Sequence, residues 1–153
     1  MKESYTHPFF DGMAARAEGD AVRAQSSFQL ARERMMKKLA EHPDDAELVS
    51  NLSVTDAGLG HKEDALREAK RAIELCPMSR DVVEAPNYLA MLALVYAWTG
   101  EHDAALTELE KVVRLPRGPS YGDLRFSPFW DDLRANARFE GLLTQAALPP
   151  VYN

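Results

Sequence analysis

Four histidines, His7, His42, His61 and His102, and one cysteine, Cys76, are the side chains of this chain most suited to metal ligation or nucleophilic chemistry. A metal site needs several such ligands converging, and no CxxC, HxxxH or HExxH spacing occurs. Each histidine falls at an expected helix start or turn, and His61 and His102 stand in equivalent places just after a glycine. Cys76 lies beside Pro77 with no neighbour of a type that lowers a thiol pKa, so a half-buried apolar role is expected for it. Carboxylates occur in adjacent pairs: Asp44-Asp45, Glu63-Asp64 and Asp131-Asp132. Acid-base catalysis needs two carboxyls in different environments across a substrate, whereas these pairs sit at expected helix starts, where dipole and solvent account for them. The phosphate-cradling patterns GxGxxG and GxxxxGK[ST] are absent, and Gly58-Leu59-Gly60 is flanked as a helix end. These residues predict no catalytic, cofactor-binding or metal site, and no enzyme.

The elements that position these residues follow a pattern stated three times. Gly19 is followed by Ala24, Phe28 and Ala31; Gly60 by Ala65, Ala69 and Ala72; Gly100 by Ala105, Leu109 and Val112. A glycine ending one helix, then small or apolar residues at helical spacing in the next, is the signature of a repeated helical hairpin. The glycines are 41 and 40 residues apart. Helices are predicted at about 7–17, 21–41, 45–58, 62–75, 82–98 and 102–114, with short ones near 128–134 and 136–146. Asp44 and Asp45 suit an N-cap and first turn. No run alternates as a strand does. Residues 116–128, with two glycines and three prolines, predict a loop, which Tyr121, Phe126, Phe129 and Trp130 are expected to keep packed over the apolar face of the last hairpin.

Composition bounds the function. At 153 residues and 46% hydrophobic, the chain can bury a core. A net charge of −6 argues against a general nucleic-acid or anionic-membrane surface while leaving room for a local basic patch. The longest apolar run, Tyr88 to Trp98, covers 11 residues, half of what a spanning helix needs. No membrane insertion is expected, and the opening MKESYTHPFFDG has no apolar core of a signal peptide. A lone cysteine is compatible with a reducing compartment. The expected location is the cytoplasm, or the periplasm if the chain is part of a larger membrane-anchored protein.

Residues 46–79 and 86–119 resemble two tetratricopeptide repeats. In the first, Leu52 and Ser53 precede Gly60, and Ala65, Ala72 and Pro77 follow it. In the second, Leu92, Ala93 and Tyr96 precede Gly100, and Ala105 and Pro116 follow. These offsets suit the family's unit of about 34 residues. Residues 5–44 resemble a third, divergent copy, with Gly12, Gly19, Ala24 and Ala31 in register and a late proline, Pro43. The resemblance implies an all-α, right-handed solenoid of about three hairpins, forming one domain over 1–147. Its closing segment is 120–147, and a tail covers 148–153.

That closing segment carries a second resemblance. Tyr121-Gly122, Leu124-Arg125, Pro128 to Trp130, Leu133-Arg134 and Arg138-Phe139 are similar to the end of repeat regions in bacterial multidomain regulators. In those, the repeats follow a kinase, winged-helix, cyclase or TolB-like domain. Asp132 and Ala137 stand where that pattern has prolines. The resemblance implies a regulatory or sensory region of a larger protein.

The first helices of such hairpins line an inner groove. On this register the candidate groove residues are Phe9, Met13 and Arg16, then Glu47, Ser50 and Val54, then Asn87, Ala90, Leu94 and Trp98. A helical or extended protein segment is the expected occupant. Self-association through Trp98, the C-terminal aromatics or an open end is the second reading. Some tetratricopeptide proteins hold a C-terminal carboxylate with a lysine, an asparagine and an arginine. Here Phe9, Met13 and Met91 stand at those positions, which argues against such a clamp.

Overall fold

Each of the three predicted glycines closes a helix with the same turn. In the computed structural model, which describes residues 4–152, Gly19, Gly60 and Gly100 have φ of 77°, 81° and 86°, a left-handed conformation that residues with a β-carbon resist. The glycine N–H groups donate to the carbonyls of Arg16, Ala57 and Ala97, three residues back. The next N–H groups, of Asp20, His61 and Glu101, reach back five residues to the carbonyls of Ala15, Asp56 and Tyr96 at 2.9, 2.8 and 2.9 Å. This pair of bonds satisfies carbonyls that a helix end leaves open and sends the chain straight into the next helix.

The described residues form eight α-helices and one 3-10 helix: α1 Thr6–Glu18, α2 Ala21–Glu41, α3 Ala46–Gly58, α4 Lys62–Leu75, α5 Ala85–Trp98, α6 His102–Val112, α7 Tyr121–Phe126, the 3-10 helix Pro128–Leu133, and α8 Ala137–Ala146. α1 pairs with α2, α3 with α4 and α5 with α6 as hairpins. Contacts divide the chain into two compact units, one ending at Leu75 and the other starting at Cys76.

In the first unit, α3 packs on α1 and α2 as well as on α4. α4 turns alanines inward: Ala65, Ala69 and Ala72 are buried, which lets the two backbones approach closely. α2 fills the other junction with Ala24, Phe28, Ala31 and Met35. The Phe28 ring lies between Gly12 of α1 and Gly58 of α3, and a β-carbon built on either glycine would collide with the ring. Two helices therefore meet α2 where each lacks a side chain. Asp45 caps α3 by accepting the Leu48 N–H at 3.0 Å, and Asp20 caps α2 by accepting that of Arg23 at 3.0 Å.

In the second unit, α5 starts at Ala85 rather than near 82. Asp81 accepts the N–H groups of Val83 and Glu84, both at 2.9 Å, holding this stretch as a turn ahead of Pro86. The segment after α6 contains α7, where a loop was expected. Ser120 accepts the Asp123 N–H at 3.0 Å and so starts a helix of 6 residues, shorter than a periodic apolar pattern can signal. α8 packs on α6 and α7, and the 3-10 helix on α5 and α6. Leu124, Trp130, Leu133, Phe139, Leu142 and Leu143 are buried.

Two of the four aromatics expected to seal this segment do not. Phe126 is 77% and Tyr121 41% exposed, because α7 has one short face and gives it to Leu124. Arginines do part of the sealing. Arg134 donates to the carbonyls of Leu124 and Ser127 at 3.0 and 2.8 Å, and Arg138 reaches the Thr107 hydroxyl and Glu110 carboxylate of α6 at 3.2 and 3.0 Å. The final stretch is also tied down, with the Val151 N–H donating to the Arg114 carbonyl at 2.8 Å.

Ala65 and Ala105 occupy the same place five residues after their glycines, and both are fully buried at the start of a second helix. Ala65→Leu or Ala105→Leu is expected to overpack its junction and cost about 1 to 3 kcal/mol, seen as a lowered unfolding midpoint in urea. An unchanged midpoint in both would contradict this packing.

Candidate functional site

The ten residues expected to line a binding groove fall into two sets. Phe9, Met13, Ser50, Val54, Ala90 and Leu94 are buried within the chain, Leu94 at 2% exposure and Val54 at zero. Arg16, Asn87 and Trp98 are half-buried, and Glu47 is exposed. In the first unit α1 and α3 are in contact, so Phe9, Met13, Ser50 and Val54 belong to neighbouring first helices. In the second unit Trp98 is held by the chain itself. Its indole N–H donates to the Phe129 carbonyl at 3.0 Å, and the two rings meet edge to face with centroids 6.2 Å apart.

Two concavities stand out among the described residues. One, of about 660 Å³, lies between the start of α1 and the end of α2, with Tyr5, Arg34, Lys37, Lys38, Glu41 and His42 on its walls. Its size is in the range of ligand clefts. The Lys38 ammonium sits 5.2 Å from the Tyr5 ring centroid, and Arg34 donates to the Ser4 carbonyl at 2.9 Å. The other, of about 290 Å³, lies in the second unit, where Asn87, Ala90 and Met91 of α5 face Arg117, Ser120, Asp123 and Trp130. Arg117 adopts a left-handed φ of 62° there and pairs with Glu84 at 3.2 Å.

One buried polar arrangement matches no sequence motif. Asp56 of α3 is fully buried, and its Oδ1 accepts from Arg32 Nε of α2 and contacts His61 Nδ1, each at 2.7 Å. Its Oδ2 and the Oε2 of Glu68 on α4 are buried and meet no donor. The Glu68 carboxyl is pushed up to about 8, by burial first and by the neighbouring Asp56 second. Asp56 and Glu68 are 12 positions apart, so no adjacent-carboxylate pattern reveals them. The available signal is a charge inside the otherwise uncharged stretch Leu48–Ala57.

The histidines take the places expected of them: His7 in the first turn of α1, His42 at the end of α2, His61 in the turn before α4 and His102 opening α6. Among the described residues no group of three or more His, Cys, Asp or Glu is arranged to hold a metal ion. Cys76 is half-buried, and burial, then Asp81, pushes its thiol above the ordinary value, which leaves it less reactive than a free cysteine. No described helix is long and apolar enough to cross a membrane.

A scan against protein-family models and a search of curated proteins found no match for this chain. Its own geometry shows an all-α fold of paired helices, compatible with a generic helical-repeat architecture.

Proposed function

We propose that this chain is a non-catalytic module of tetratricopeptide type that binds a helical or extended protein segment on the faces of its first helices. The observation that carries this reading is the threefold turn: the same left-handed glycine and the same pair of reaching-back hydrogen bonds end α1, α3 and α5. Within each unit the first helix of a hairpin carries the surface that such modules use. Phe9, Met13, Ser50 and Val54 shape that surface in the first unit, and Ala90 and Leu94 shape it in the second. Arg16, Glu47, Asn87 and Trp98 supply the side chains a partner meets. A role as the regulatory region of a larger bacterial protein rests on the resemblance of the closing segment, with Arg134 and Arg138 acting as its clamps.

A peptide selected from a displayed library against the immobilised chain tests this. Trp98→Ala is expected to weaken binding of such a peptide about tenfold or more, as for an aromatic at the centre of an interface. Affinity should be compared at a temperature where both proteins are folded, since Trp98 also holds Phe129. Unchanged affinity removes Trp98 from the site.

Self-association is the second reading, favoured by the exposed Phe126 and Tyr121 on α7. Light scattering over a hundredfold concentration range distinguishes it. A dimer that Phe126→Ser dissociates supports it, and a monomer throughout excludes it.

A further inference from the structure

Asp56 and Glu68, on the paired helices α3 and α4, each keep one buried carboxyl oxygen without a hydrogen-bond donor. Asp56 Oδ1 is already occupied by Arg32 and His61, while Asp56 Oδ2 and Glu68 Oε2 are buried with no donor. The two side chains stand on the paired helices α3 and α4, and the negative charge of each bears on the other. Two ionised carboxylates offer four acceptors and no donor, so the two bond only when one of them keeps its proton. We propose that Asp56 and Glu68 hold a single proton between them inside the α3–α4 hairpin, and that its loss as pH rises loosens α4 from α3, giving the first unit a pH-sensitive switch.

The charges facing the pair come from α2, α3, α4 and the turn between α3 and α4. α2 contributes Arg32, α3 contributes Asp56 itself, the turn contributes His61, and α4 contributes Asp64, Arg67 and Glu68. Asp64 opposes ionisation of Glu68 and Arg67 favours it, and those two are engaged with each other at 2.6 Å. Arg32 is engaged with Asp56, so a negative charge on Glu68 has no dedicated cation. α3 is the helix on which α1, α2 and α4 all pack, so a disturbance at the pair reaches the whole unit.

The direction follows from linkage. Glu68 holds its proton in the folded unit up to about pH 8, whereas in the open form it ionises as an ordinary glutamic acid. The folded form binds more protons over that interval, so its stability falls as pH rises from about 5 and levels off above about 8. Glu68→Gln replaces the proton with an amide N–H that donates to Asp56 at every pH. One proton taken up on closing corresponds to a tenfold change in the opening equilibrium per pH unit.

Two measurements on the full chain test this. Hydrogen-exchange protection of the α4 amides, corrected for intrinsic rates, should fall up to about tenfold per pH unit more steeply in the wild type than in Glu68→Gln, the difference ending near pH 8. The carboxyl carbon resonance of Glu68 in the labelled wild type should titrate near that same pH. Equal pH dependence in the two proteins, or a Glu68 resonance that titrates in the ordinary carboxylate range, overturns the proposal. The resonance decides the matter even if the variant fails to fold.

Discussion

Phe28→Ala is expected to cost the first unit about 3 to 5 kcal/mol, the range for emptying an aromatic position in a core. The upper part of that range is favoured because the ring is bracketed by Gly12 and Gly58, which have no side chains to relax into the space. The unfolding midpoint should fall by about 10 to 20 °C. A second substitution makes the expectation sharper. Gly58→Ala in the wild type drives a methyl into the ring and should destabilise. In the Phe28→Ala background the same methyl enters a void and improves helix propensity, so it should stabilise by about 1 kcal/mol. A double-mutant cycle in urea reads this change of sign, and additive effects would mean that the ring does not sit between the two helices.

Arg32→Ala is expected to cost about 2 to 4 kcal/mol, near the value for stranding a buried charge. The figure is kept below the full value because the Arg32 side chain is one-third exposed, at 33%, while that of Asp56 is fully buried. The loss should grow with pH, since Arg32 bonds Asp56 and is attracted by Glu68, and the ionised pair repels more strongly without it. Arg32→Lys should recover part of it, because a single donor, Nε, makes the contact. A midpoint that shifts equally at pH 5 and pH 8 would separate the ion pair from the proton between Asp56 and Glu68.

The parts of this fold that could be read from the sequence are those in which one residue type answers one local need. Gly19, Gly60 and Gly100 were legible because a left-handed φ leaves few alternatives to glycine, and their +5, +9 and +12 followers because a close helix pair tolerates only small or well-fitted side chains there. Asp44 and Asp45 were legible together as a helix start for a similar reason, and the cap itself falls on Asp45. α7 was not, because one turn of helix between prolines has no periodicity to display. The proton-sharing pair was hidden by distance along the chain. Asp56 reads as the end of an apolar helix and Glu68 as one more charge on an amphipathic one, and only the α3–α4 pairing brings them together. Of the candidate binding residues, the sequence register identifies the first helices but not how deeply each side chain sits. That depth depends on neighbours such as Phe129, 31 positions beyond Trp98.

The claim that first-helix faces bind a protein segment is tested most directly by mapping amide chemical shifts of the labelled chain as a library-selected peptide is added. The expected result is saturable change at Arg16, Glu47, Asn87 and Trp98 and their neighbours on α1, α3 and α5, with α2, α4 and α6 little affected. Changes confined to α2, α4 and α6, or no saturable binding by any selected peptide, would contradict it.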